Sequence, residues 1–141
     1  MATPRTILLV EDNPDDAALT EVALRVVPAR LEIAAEAHEA FGYLFADAND
    51  LPGLVVLDLR LPDIDGLEVL RRIREDERTC LVPVVILTSS MAPSDVDASY
   101  RLGANSFIRK AATFDEFSAQ VRQIGAYWLG VNESPVTADA G

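Results

Sequence analysis

Residues 54–70, LVVLDLRLPDIDGLEVL, decide the fold. Leu54 to Leu57 is an unbroken apolar run, and Asp58 closes it. A run without polar alternation marks a strand buried on both faces. Pro62, Asp63, Asp65 and Gly66 then punctuate a loop. Asp65 and Glu68 have the spacing of a capping box, and Leu67, Leu70 and Ile73 follow at helical spacing. The stretch therefore predicts a buried strand, a loop that begins on an acid, and an amphipathic helix. Asp63 is expected to be a solvated turn residue, and Asp65 a cap rather than a metal ligand.

The same unit recurs on either side. Upstream, Thr6 to Val10 (TILLV) predicts a strand, and Asn13-Pro14 supplies an N-cap and a first-turn proline. Ala17, Leu19 or Thr20, Ala23, Leu24 and Val27 form a helical stripe that Pro28 stops. Leu31 to Ala35 predicts a second strand, and His38 to Asp47 a helix carrying Ala40, Phe41 and Leu44. Downstream, Val84 to Leu87 predicts a strand that ends at Thr88. A helix from about Pro93 to Leu102 follows, with Gly103 suited to its C′ position. Ser106 to Arg109 is a short last strand. Thr113 and Glu116 form another capping box, opening a helix whose apolar stripe is Phe114, Phe117, Val121, Ile124 and Trp128.

Alternating apolar strands and helices imply an α/β domain with a five-stranded parallel sheet covered on both faces. Right-handed crossovers make a doubly wound sheet in the order 2-1-3-4-5 the simplest topology, with ligands at the strands' C-terminal ends. The domain is expected to span 1–131, with 132–141 a flexible C-terminal tail.

That edge of the sheet collects chemistry. Glu11 and Asp12 follow the first strand, Asp58 the third, Thr88 ends the fourth and Lys110 follows the fifth. Taken singly, each has an ordinary role: a solvated acidic turn, a strand-ending β-branched residue, a surface lysine. Together at one edge they point to function. The first and third strands are neighbours in this order, so Glu11, Asp12 and Asp58 should converge. Carboxylates held close are driven to protonate unless a cation joins them. A hard divalent ion with oxygen ligands suits them, Mg²⁺ above all, and the Arg60 carbonyl can add a ligand. A carboxylate can also act as a nucleophile and form an aspartyl-phosphate. A lysine and a hydroxyl can then neutralise and bond the phosphoryl oxygens.

The formal net charge of −11 argues against nucleic-acid and anionic membrane surfaces. Cys80 is the single cysteine, which fits a reducing compartment and leaves no intrachain disulfide. It is read as a small loop or helix-end residue. No apolar stretch approaches the roughly 20 residues that span a bilayer. A cytoplasmic protein is expected. The one histidine, His38, is read as an ordinary helix-start residue rather than a phosphorelay histidine. Asp15 and Asp16 are expected to favour their helix N-terminus through its dipole.

The motifs ILLVEDNPDDA (7–17), VVLDLRLPDIDGLEVL (55–70), PVVILTSS (83–90) and GANSFIRK (103–110) resemble the receiver domain of two-component response regulators. The resemblance covers roughly Arg5 to Leu129. It implies a flavodoxin-like fold in which Asp58 takes a phosphoryl group from a sensor histidine kinase. It further implies that Asp12 binds Mg²⁺ directly, Glu11 helps through water and the Arg60 carbonyl completes the site. Thr88 and Lys110 would hold the phosphoryl group, with Thr88 and Phe107 as switch residues. The sequence also resembles stand-alone regulators that partner phytochrome-type kinases and signal through protein contacts. Turnover would be limited to phosphotransfer and autodephosphorylation.

Two residues depart from the family pattern. Ala111 stands where a proline, often after a cis bond, usually follows the lysine; cis costs about 3 kcal/mol before a non-proline residue. Phe107 lacks a tyrosine's hydroxyl, so a switch there acts through packing. Tyr100, Phe107, Tyr127 and Trp128 suggest a homodimer through the fourth helix, fifth strand and fifth helix. The rival readings are a receiver-fold scaffold that works without phosphorylation and a Mg²⁺-dependent phosphohydrolase. The complete acid, threonine and lysine set counts against the first. Against the second, Arg60 occupies the position where a phosphohydrolase of the haloacid dehalogenase type places its second acid.

Overall fold

Apolar strands that cannot face water order this molecule. The computed structural model describes residues 5–135. The strands are β1 (Arg5–Val10), β2 (Ala29–Ala34), β3 (Leu54–Leu57), β4 (Val84–Thr88) and β5 (Ser106–Arg109). They form one parallel sheet in the order β2-β1-β3-β4-β5. The helices are α1 (Pro14–Leu24), α2 (Ala37–Leu44), α3 (Gly66–Glu75), α4 (Pro93–Arg101) and α5 (Phe114–Ala126), and a π-helical turn at Tyr127–Val131 continues α5. Side-chain alternation sends Leu8, Val10, Val55, Leu57, Val84 and Ile86 into one core with α2 and α3. Ile7, Leu9, Leu54, Val56, Val85 and Leu87 enter the other, against α1 and α5. The α/β class and strand order are those expected from the sequence. Among the described residues, no helix is long and apolar enough to cross a membrane.

Several boundaries and roles differ from expectation. β2 starts at Ala29 rather than Leu31 and ends at Ala34, because all six residues of β1 pair with it, from Arg5–Ala29 to Val10–Ala34. Helix α2 begins one residue earlier and stops at Leu44 instead of reaching Asp47. The Arg78 guanidinium takes the carbonyls of Leu44, Ala46 and Asn49, which draws this segment out of helical geometry.

The start of α2 corrects the expectation for Asp63, which is a distant cap and not a free turn residue. Its carboxylate accepts from the amides of Ala37 (2.9 Å) and His38 (3.0 Å) and pairs with His38 Nδ1. Burial alone would raise its pKa, but these bonds outweigh it and hold the carboxyl below its ordinary range.

At α3 the capping box is only half formed. Asp65 accepts from the Leu67 amide at 2.9 Å, but Glu68 turns to Arg71 and Arg72. α4 ends in a Schellman motif: Gly103 (φ 102°) bonds the Tyr100 carbonyl and Ala104 the Ser99 carbonyl.

Phe114 is 73% exposed, against the expected buried stripe. It is the first residue of α5 and lies at the mouth of a surface cleft, while Phe117, Val121 and Ile124 reach the core.

At the C-terminal end, the Asn132 amide bonds the Tyr127 carbonyl, and Arg5 reaches Ser134 and the Leu129 carbonyl. The remainder of the segment expected to be a tail, 136–141, lies outside the described residues.

Candidate functional site

The site sits on the C-terminal edge of β1, β3, β4 and β5. Parallel register brings the strand ends level: Val10 pairs with Leu57, Leu57 with Ile86, and Thr88 with Arg109. The residues immediately beyond therefore meet. Carboxylate oxygens of Glu11, Asp12 and Asp58 all lie within 4.8 Å of one another. Glu11 and Asp58 are buried, while Asp12 is exposed.

Asp58 is held from several sides. Its Oδ1 accepts from the Thr88 hydroxyl at 2.8 Å and from the Arg60 amide at 3.0 Å. Its Oδ2 accepts from Lys110 Nζ at 2.8 Å. Thr88 is fully buried, and its side chain is pinned by its place in β4. Arg60 thus addresses the acid with its backbone amide.

Gly66 opens α3 directly behind this loop. A Cβ there would lie 2.5 Å from the Asp58 carbonyl oxygen and 2.6 Å from Leu59 Cα. Only glycine lets the helix start this close to the acceptor's backbone.

Lys110 is the positive centre. Its ammonium pairs with Glu11 at 2.7 Å, Asp16 at 2.8 Å and Asp58 at 2.8 Å, and its side chain is only 10% exposed. Burial alone would lower its pKa, but bonds from Asp16, Asp58 and Glu11 outweigh that and hold it above the ordinary lysine value. Asp16 escaped the sequence reading, which assigned it to the helix dipole. Nothing local marks it, since its partner lies 94 residues away.

The β5–α5 corner is reached without a cis bond; no cis peptide occurs among the described residues. The Ala111 amide donates to Gln120 Oε1 at 2.9 Å, and Gln120 Nε2 donates to the Arg109 carbonyl at 2.8 Å. Proline has no N–H and could not make the first of these bonds. Phe107 packs against the core shared with α2 and α3. Tyr100 and Tyr127 are about half exposed, while Trp128 leans on the opposite core and meets the Tyr127 ring edge-on.

Burial and the nearby Asp58 charge push the Glu11 carboxyl up to about 7, against the pull of Lys110. The folded chain then keeps a proton that the unfolded chain loses near 4.5. Stability from this group is full below about 4.5 and is lost as pH rises through about 7. Glu11→Gln removes that loss. Without divalent cations, the variant should gain on wild type between pH 4.5 and 7 by roughly 3 kcal/mol, read from urea melts. A pH-independent difference would overturn the assignment.

The donor set is all oxygen, anionic and clustered, which is what a hard divalent cation requires. Comparison with known proteins places the chain in a family. Residues 7–122 match the family model for the response regulator receiver domain. A probable methanogenesis regulatory protein, FilR2 of Methanothrix harundinacea, is 39% identical over 137 residues, 94% of this chain and 88% of that protein. Response regulator Rcp1 of Synechocystis is 34% identical over 132 residues, 89% of this chain and 90% of that protein. Among solved structures, the phosphorylated cyanobacterial phytochrome response regulator RcpA superposes with a TM-score of 0.89 at 36% identity, covering 94% of this chain and 99% of that one. The Mn²⁺-bound form of Rcp1 also gives 0.89, at 33% identity, covering 94% of this chain and all of that one. With its sheet order, its strand-edge acids and these matches taken together, the chain belongs to the response regulator receiver domain family.

Proposed function

We propose that this protein is a phosphorylation switch in which Asp58 accepts a phosphoryl group from a sensor histidine kinase, with Mg²⁺ bound alongside. The observation that carries the reading is the seating of Asp58. One carboxylate is bonded by Thr88, Lys110 and the Arg60 amide while sharing an ion-sized cluster with Glu11 and Asp12.

In the transfer, an Asp58 carboxylate oxygen bonds to phosphorus as the bond to the donor histidine nitrogen breaks, and that electron pair returns to the imidazole. Glu11, Asp12, Asp58 and the Arg60 carbonyl would hold Mg²⁺, which supplies positive charge to the phosphoryl oxygens. Lys110 adds a fixed ammonium charge and Thr88 a hydroxyl donor. The new group draws on Thr88 and Lys110, which Asp58 now occupies, so the β4 and β5 ends are the places where occupancy changes contacts. Thr88 and Phe107 would pass that change outward, Phe107 through packing alone, and a partner protein would read the favoured state.

Similarity to the cyanobacterial phytochrome response regulator RcpA and to two bacteriophytochrome response regulators supports a phytochrome-type kinase as donor. The net charge of −11 supports the absence of nucleic-acid or membrane partners, and the single cysteine fits a reducing, cytoplasmic setting. The reading includes a homodimer through α4, β5 and α5, with exposed Tyr100 and Tyr127 as contacts beside Phe107 and Trp128. A monomeric mass at every concentration would count against that part.

The direct test is intact mass after incubation with Mg²⁺ and acetyl phosphate. One phosphoryl adduct is expected on wild type and none on Asp58→Asn. An adduct that persists in Asp58→Asn, or wild type that takes none from acetyl phosphate or a histidine kinase, would sink the proposal.

A further inference from the structure

Lys110 has more anions than the transfer chemistry needs. An ammonium has three donors, and here Glu11, Asp16 and Asp58 take them. Glu11 belongs to the cation cluster and Asp58 is the acceptor. Asp16 has neither role. It stands in the first turn of α1, part-exposed, and its Oδ2 lies 2.8 Å from Lys110 Nζ. Its place is secured on both sides. Asn13 caps the helix by accepting from the Asp15 and Asp16 amides, and Thr20 donates to the Asp16 carbonyl. Asp16 and Lys110 also share the wall of a cleft of about 290 Å³.

We propose that Asp16 is a positioning residue that restrains phosphorylation: it is a competing counter-ion that withholds part of the Lys110 ammonium from an incoming phosphoryl group. The inference rests on the proposed function of Asp58. Asp16 and Asp58 each lie 2.8 Å from the same nitrogen, so their oxygens are no more than about 5.6 Å apart. A phosphoryl dianion arriving at Asp58 meets the Asp16 charge at short range. It must also share or take over a donor that Asp16 already uses. Both effects raise the cost of binding a dianion, and neither exists for the donor free in water. Removing the charge while keeping the shape should therefore favour entry of the phosphoryl group. Neighbouring Asp15 supplies the contrast. It bears the same charge one residue earlier and is exposed, and the described contacts give its carboxylate no bond to Lys110.

The test is the second-order rate of phosphorylation by acetyl phosphate, together with the affinity for beryllofluoride, a non-transferable phosphoryl mimic, both with Mg²⁺ present. Asp16→Asn should raise the rate and tighten beryllofluoride binding by about three- to tenfold. Asp16→Glu, which keeps the charge, should return both toward wild type. Asp15→Asn makes the same change in net charge and should leave both near wild type. A merely structural role for Asp16 would lower Tm and slow uptake together. If Asp16→Asn leaves both readouts unchanged, or lowers either at unaltered Tm, Asp16 does not compete and the inference is wrong. If wild type itself takes up neither acetyl-phosphate phosphoryl nor beryllofluoride, the failure belongs to the underlying reading of Asp58.

Discussion

Gly66→Ala is expected to cost about 3 kcal/mol of unfolding free energy and to weaken Mg²⁺ binding several-fold, although the residue carries no functional group. The reason is where its Cβ would land: 2.5 Å from the Asp58 carbonyl oxygen, 2.6 Å from Leu59 Cα and 3.1 Å from the Leu59 carbonyl carbon. These are backbone atoms, so no rotamer change relieves the overlap. Either α3 backs away from β3, breaking the Gly66 N–H bond to the Leu59 carbonyl, or the loop carrying Asp58 and Arg60 shifts. The first outcome reads out as stability and the second as metal affinity, and both follow from one added methyl group. Gly42 is the control. It lies inside α2 with open space around its missing side chain, so Gly42→Ala should stabilise by about 0.5–1 kcal/mol through helix propensity. Urea melts and calorimetric Mg²⁺ titrations on the two variants decide the matter. Equal stability in both would contradict the close approach at Gly66.

The other large effect belongs to Lys110. Lys110→Ala leaves Glu11, Asp16 and Asp58 facing one another without their shared cation. Removing one partner from a buried ion cluster costs about 3 kcal/mol at neutral pH, because the remaining charges stay desolvated. The sign of the pH dependence follows. Glu11, whose carboxyl Lys110 pulls down in wild type, binds its proton more readily without it, so the folded variant holds extra protons and recovers stability as pH falls. Mg²⁺ should recover part of the loss at neutral pH by replacing the missing charge. Phosphoryl uptake should still fall by about a hundredfold, since the ammonium is the fixed positive charge bonded to the acceptor. Melts at two pH values with and without Mg²⁺, beside acetyl-phosphate rates, check all four statements. Uptake at the wild-type rate would remove Lys110 from the mechanism.

The two cases draw on different kinds of information. Lys110 is legible in the chain because it directly follows a strand, as Glu11 and Asp58 do with Asp12 one residue on, and parallel register brings strand ends to one edge whatever the intervening helices contain. Gly66 is legible only as a loop residue. Its necessity appears once α3 is seen to start against the Asp58 carbonyl. Helix α2 shows the same division. Its apolar residues Ala40 and Leu44 mark it as a helix, but its limits were misplaced. Asp63 caps its start from the β3–α3 loop, and Arg78 gathers the carbonyls beyond its end.

The sequence alone therefore determined the elements, the parallel sheet and its order, and the convergence of Glu11, Asp12, Asp58, Thr88 and Lys110. Those follow from local periodicity and from the rule that apolar strands must be covered on both faces. Tertiary structure alone decided that Asp16 reaches Lys110 across 94 residues, that Asp63 caps a helix 25 and 26 residues away, and that Ala111 donates its amide to Gln120. Each is one polar contact between segments distant in the chain, and such a contact leaves no periodicity in either segment. Apolar burial repeats along a strand or helix and is written many times over; a single hydrogen bond is written only in the folded geometry.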